Sequence, residues 1–150
     1  MSRIVHLFLS IFVLQQLQLS AVFTSETGKT TRYWDCCKAS CSWTGKAPVS
    51  APLKTCDKDG HTGVAADTTN VCGGGGLPGK SYMCSDQQPH AVNTSLAFGF
   101  AAASIASKHE TDWCCACYEL TFTSGGAITG KRMVVQVSNT GGDLGANHFD

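Results

Sequence analysis

Charge is scarce in this chain: 15% of its 150 residues are Asp, Glu, Lys or Arg, and 11 acidic residues balance 11 basic ones. No basic cluster stands out, so a nucleic acid or an anionic membrane surface lacks the concentrated Lys and Arg it needs for binding. Proline numbers only four, and with so little charge this argues against a disordered tail. No apolar run reaches the ~20 residues of a membrane span. There is no internal repeat and no Ser/Thr/Pro-rich linker to a second module, and at this length one domain is expected. Cys114–Cys117 has no second C-x-x-C to complete a structural zinc site, and adjacent cysteines make poor tetrahedral chelators. Neither a metal nor another cofactor is called for.

What the chain does have begins with a leader. A short positive start at Met1–Arg3 precedes an apolar run from Ile4 to Leu14, then glutamines, then small or polar residues from Ser20 to Ser25. That layout predicts a secretory signal peptide over residues 1–23, cut between Ala21 and Ser25. Loss of Arg3 leaves 10 basic and 11 acidic residues, a net charge of −1. All nine cysteines lie beyond the leader, and outside the cell they are expected to oxidise into a disulfide framework. Nine is odd, so at least one thiol is left over.

Along residues 24–150, Thr31–Trp43 reads as a short aromatic strand running into a cysteine-tied loop. Residues 44–90 are rich in Gly, Pro, Asp, Ser and Thr, a long irregular stretch that a compact domain tolerates when cross-links hold it. Ala91–Ser107 reads as the one helix, centred on 94–107, with Thr94 or Ser95 as its cap and alanines through its body. Tyr118, Leu120 and Phe122 alternate with polar residues at strand period, and Met133–Val137 is an apolar, β-branched partner strand across a glycine-containing turn at 124–130. Gly74–Ser81 fits the G-x-x-x-x-G-K-[ST] pattern of a phosphate loop. Neither a buried strand before it nor a helix after it is present to aim amides at a phosphate, so nucleotide binding is rejected.

Two places bear carboxylates suited to chemistry. Asp35 follows Tyr33 and Trp34 and precedes two cysteines able to fix its backbone, and acid–base work needs such fixed placement. Tyr33 and Trp43 offer flat faces that suit the apolar sides of sugar rings, whereas Trp34 suits a core position equally well. The second place is Gly141–Asp150. Its glycines give Asp143 a loop able to fold over a polymer, His148 and Asn147 bring hydrogen-bonding groups, and Phe149 dries the surroundings of Asp150. Residues alone reach two carboxylates of interest, against the plainer reading of turn-forming Gly, Asn and Asp.

Thr30-Thr31-Arg32-Tyr33-Trp34-Asp35-Cys-Cys-Lys-Ala-Ser-Cys41 resembles the active-site signature of glycoside hydrolase family 45, small secreted endo-β-1,4-glucanases. The likeness continues through Trp113–Gly125 and Gly142–Asp150, covers Thr30 to Asp150, and is weakest at 57–79. It implies a mainly β fold, a six-stranded double-psi β-barrel with long disulfide-tied loops, incomplete within these residues. It implies endo-acting hydrolysis of internal β-1,4-glucosidic bonds in cellulose and related glucans by inversion. Asp35 would be the general base, Asp150 the general acid, and Asp143 a loop carboxylate assisting closure, while Thr31, Tyr33, Trp43 and His148 would line the substrate groove. An inverting pair stands roughly 6.5–9.5 Å apart, leaving room for water.

The resemblance further implies the disulfides Cys37–Cys72, Cys41–Cys114 and Cys56–Cys84, with Cys36, Cys115 and Cys117 pairing to cysteines beyond residue 150. On that reading the catalytic domain is partial, and residues 26–150 alone are expected to be inactive or unstable. The expected protein is a secreted monomer acting on a β-1,4-glucan such as cellulose. The alternative is an expansin-like, non-hydrolytic wall-loosening protein, similar around Asp150 but lacking the Thr-Arg-Tyr-Trp-Asp element.

Overall fold

The computed structural model describes residues 25–73 and 79–150. The leader at 1–23 and Gly74–Pro78 of the phosphate-loop pattern therefore lie outside the described residues. Among those described, strands β1 (Lys29–Thr30), β2 (Thr55–Cys56), β3 (Gly63–Val64), β4 (His90–Ala91), β5 (Leu96–Ser104), β6 (Cys117–Thr121), β7 (Arg132–Asn139) and β8 (His148–Phe149) outweigh one four-residue helix, α1 (Glu110–Trp113). The mainly β expectation holds. Six strands form one sheet in the order β1-β8-β5-β7-β6, with β4 also on β5, while β2 and β3 make a separate pair. No helix of the described residues is long and apolar enough to cross a membrane.

The predicted helix over 94–107 is corrected: this segment is β5, the central strand of the sheet. It pairs parallel with β7 and antiparallel with β4 and β8. Alanine favours a helix over other residues by less than about 0.7 kcal/mol per position, and pairing on both edges overrides so small a preference. The alanines serve close packing instead, since Ala101, Ala102 and Ala103 are all buried. A Cβ at Gly99 would stand 2.4 Å from Met133 Cε and 3.3 Å from Pro89 Cα, so a larger residue there would push the Met133 side chain aside. The expected cap role passes to Asn93, whose Oδ1 accepts from the Ser95 and Leu96 amides at 2.8 and 3.0 Å and closes the β4–β5 turn.

The β6 and β7 expectations hold, with Tyr118 facing Val135 and Leu120 facing Met133 in register. Between them, Gly125, Gly126 and Gly130 adopt positive φ in the turn, a conformation that glycine takes without steric cost. The register of β5 on β7 slips after Ala101, so that Ala102 faces Asn139. This irregularity leaves Ser138 unpaired in the ladder, and its hydroxyl donates to the Ala101 carbonyl at 3.3 Å. Such bulges re-aim side chains beside functional sites. Ala101, Ala103, Trp113, Val135, Val137 and Phe149 form the buried core, with Tyr118 edge-on to Phe149 at 5.2 Å.

Beyond the sheet, long loops hang on three disulfides, Cys37–Cys72, Cys41–Cys114 and Cys56–Cys84. These are the pairs the family resemblance implied. Cys36, Cys115 and Cys117 form no disulfide among the described residues. The expected aromatic strand at 31–35 is a second correction. Pairing stops at Thr30, and residues 31–36 run on without a ladder.

Candidate active site

β8 sets the site. It lies between β1, in parallel, and the C-terminal part of β5, antiparallel. Asp150 continues it: its amide donates to Ala102 O, and the Ala102 amide donates to Asp150 O, both at 2.9 Å. Asn147 starts the segment in a left-handed conformation (φ 49°), which Asn tolerates better than most residues. Its Oδ1 accepts from the Ala106 amide at 3.0 Å, tying the turn to the end of β5. The half-buried Asp150 is therefore held by backbone on a rigid element.

On the facing side, the Thr31 amide donates to Phe149 O at 2.9 Å, after which the chain leaves the ladder but keeps its two-residue alternation. Arg32 and Trp34 share one side, with the guanidinium 6.0 Å from the indole centroid, and Trp34 is 84% exposed. Trp34 is thus no core residue in this structure. Thr31 and Tyr33 turn the other way. Thr31 Oγ1 donates to Asp150 Oδ1 and lies 2.8 Å from His148 Nε2. A hydroxyl has one proton, so with Asp150 taking it, Thr31 must accept from His148 Nε2–H. The Gly145 amide reaches His148 Nδ1 at 3.4 Å, consistent with an unprotonated Nδ1. The result is a directed chain from His148 through Thr31 to Asp150, which leaves Asp150 Oδ2 free to carry a proton.

Tyr33 links the two carboxylates. Burial pushes its hydroxyl above the ordinary range, Asn139 pulls it down, and the charge of Asp35 raises it again. Ser138 opposes the rise, and Asp150 adds to it. One hydroxyl therefore sits within electrostatic reach of both Asp35 and Asp150, and it stays a neutral donor at ordinary pH. Asp35 is exposed, and its Oδ1 accepts from the Cys37 amide at 3.0 Å, a tight turn anchored by the Cys37–Cys72 bond. It opens onto a cleft of about 200 Å³ that Lys58, Tyr82, Met83 and Gln88 also line.

Two expected residues stand apart from this group. Asp143 is exposed in the 141–145 turn and, among the described residues, makes no hydrogen bond or ion pair. Trp43 lines a different cleft of about 130 Å³ with Thr44, Ala47 and Pro52. Sequence reasoning missed Ser138 and Asn139, which only the slipped register of β7 brings to Tyr33, and Lys38, which is buried beneath Trp43. A lone lysine after two cysteines carries no signal that it will be buried. Cys41, Glu110 and Cys114 bring three potential metal donors together. Both sulfurs are consumed in their own disulfide, and Glu110 instead accepts from Ser40 Oγ and from Lys46 Nζ, the latter at 2.9 Å.

Residues 27–150 match glycosyl hydrolase family 45. The chain belongs to that family. An endoglucanase of Cryptopygus antarcticus is 54% identical over 127 residues, covering 85% of this chain and 54% of that protein. An endoglucanase of Phaedon cochleariae is 50% identical over 121 residues, covering 79% of this chain and 48% of that protein. A Fusarium oxysporum relative, 54% identical, overlaps 88% of this chain but 34% of its own length. The crystal structure of a cellulase from the Antarctic springtail Cryptopygus antarcticus superposes with a TM-score of 0.77 at 53% identity, covering 85% of this chain and 59% of that one. This family 45 chain thus spans about half or less of the curated relatives it matches.

Proposed function

We propose that the whole protein is an endo-β-1,4-glucanase that cleaves cellulose or a related β-glucan by inversion, with Asp35 as base and Asp150 as acid. The observation that carries this reading is Asp150, held by its backbone pair with Ala102 and fastened through Thr31 to His148. The family relatives add weight, being named endoglucanases. In this mechanism Asp150 Oδ2 delivers a proton to the glycosidic oxygen while Oδ1 stays on Thr31. Asp35 removes a proton from a water attacking the anomeric carbon from the opposite side. His148 and Thr31 orient the acid, and Tyr33 supplies a hydrogen-bond donor between the two. Asp143 lies on a glycine-flanked turn suited to closing over bound polymer. The three disulfides support secretion, since an oxidising compartment preserves them.

Reducing-end release from carboxymethyl cellulose tests the reading. Wild-type protein releases sugar, and Asp35→Asn lowers the rate by at least about 10²-fold, the usual worth of a positioned acid–base group. Equal yields from both would instead favour the expansin-like alternative. Proton NMR of the fresh product tests the stereochemistry, because inversion delivers the α-anomer first and retention the β-anomer.

A further inference from the structure

Lys38 is 3% exposed, and among the described residues no carboxylate reaches ion-pair distance of it, although burial, which pulls its ammonium down, is partly offset by the more distant charge of Asp67. Its Nζ donates to the Ala66 and Thr68 carbonyls at 2.6 and 2.9 Å and lies 3.2 Å from the centroid of the Trp43 ring. An ammonium has three N–H bonds, and two carbonyls and one π-face account for all three. Burying a charge without a direct ion pair is costly, and an apolar side chain of similar length would fill the space at less expense. The backbone is fixed as well: the Lys38 amide donates to Asn70 Oδ1 at 3.0 Å, one residue from the Cys37–Cys72 bond.

An ammonium in contact with one indole face leaves no room there for a ligand. Trp43 lines its cleft beside Thr44, Ala47 and Pro52, and Lys38 is not among the lining residues. With that face covered, the opposite face of the half-buried Trp43 is the one left for a ligand. We propose that Lys38 is a positioning residue, clamping Trp43 by its rear face so that the front face forms a rigid stacking platform for a sugar ring of the bound glucan. The proposal rests on the glucan-binding reading above and adds to it the device that fixes the platform. A clamped ring loses no rotamer freedom when a sugar stacks on it, so its contribution falls on binding and leaves the bond-breaking step unchanged.

Four forms of the whole protein test this: wild type, Lys38→Met, Trp43→Ala and the double variant, each titrated with cellohexaose. Lys38→Met is expected to weaken binding about tenfold, the scale of a desolvated cation–π contact, with kcat within about twofold of wild type. In the Trp43→Ala background the same substitution is expected to have no further effect, because Lys38 acts through that ring. In a Trp34→Phe background, which removes the exposed indole, iodide quenching of tryptophan emission rises with Lys38→Met and returns to the wild-type level with Lys38→Arg. Unchanged quenching and affinity would overturn the proposal, and so would an equal loss of binding with and without Trp43. If Lys38→Met does not fold, the wild-type NMR spectrum decides. Lys38 ε-protons shifted upfield by the ring and released in Trp43→Ala support the clamp, and unshifted ones refute it. Failure of wild-type protein to bind cellohexaose counts against the glucanase reading, and quenching and ring shifts then decide whether Lys38 holds Trp43.

Discussion

Thr31 shows how much a single hydroxyl can organise. It accepts from His148 and donates to Asp150, so its loss unfastens Asp150 without touching the carboxylate. Thr31→Val keeps the shape and removes the chain; kcat on carboxymethyl cellulose is expected to fall about tenfold, less than the roughly 10²-fold worth of an acid–base group itself, with KM little changed. His148→Ala should cost a similar factor, and the pair together little more, since both substitutions break one chain. Asp59 answers to a different chemistry. The Thr62 hydroxyl, then the His61 and Thr62 amides, hold its carboxyl at about 2, below its ordinary 3.8. A depressed carboxyl stabilises the fold above its unfolded value, and that stability disappears as pH falls from 3.8 toward about 2. Asp59→Asn removes this dependence, so thermal melts of wild type and variant should converge across that window. Convergence at neutral pH instead would show that the loop hydrogen bonds contribute nothing.

At the scale of elements, β5 decides the architecture. Its alanines mislead a helix reading because alanine marks no face: Ala101–Ala103 are buried on both sides and show neither the alternation of a half-exposed strand nor a polar stripe. β6, with one face on the core and one in water, announces itself through Tyr118 and Leu120. The short aromatic segment after β1 fails as a strand for the converse reason, since it has strand alternation but no partner chain to bond. Small side chains in β5 are a packing requirement. Ala103→Leu, inserted where exposure is 0%, should destabilise by about 1–3 kcal/mol in urea unfolding. Ala91→Leu, on the exposed strand β4, should be nearly neutral by the same measurement.

For the molecule as a whole, the cysteines govern both stability and reactivity. Cys41–Cys114 links residues 73 apart and ties the loop bearing Trp43 to the end of α1. Replacing both by alanine should cost about 4 kcal/mol, from loop-closure entropy returned to the unfolded chain. The remaining thiols differ in environment. Cys36 and Cys117 are exposed, whereas burial pushes the Cys115 thiol up, a Leu53 backbone contact lowers it, and Cys117 adds to the rise. Thiolate is the reactive form. Alkylation of the native 150-residue chain at pH 8 is therefore expected to label Cys36 and Cys117 first and Cys115 last, readable by peptide mass mapping. Labelling of Cys115 first would contradict its placement.

The residues by themselves determined the family and the mainly β character, because a short motif whose chemistry depends on residue type survives in linear order. They did not determine which segment would be the central strand, or that Ser138 and Asn139 would meet Tyr33 and Lys38 would meet Trp43. Those outcomes depend on pairing at long range. β8 joins residues from opposite ends of the chain, a slipped register turns Asn139 toward Tyr33, and a buried ammonium meets an indole only after loops close around it. Local sequence sets propensities worth tenths of a kcal/mol per residue, and tertiary burial, worth several times more per side chain, chooses among them.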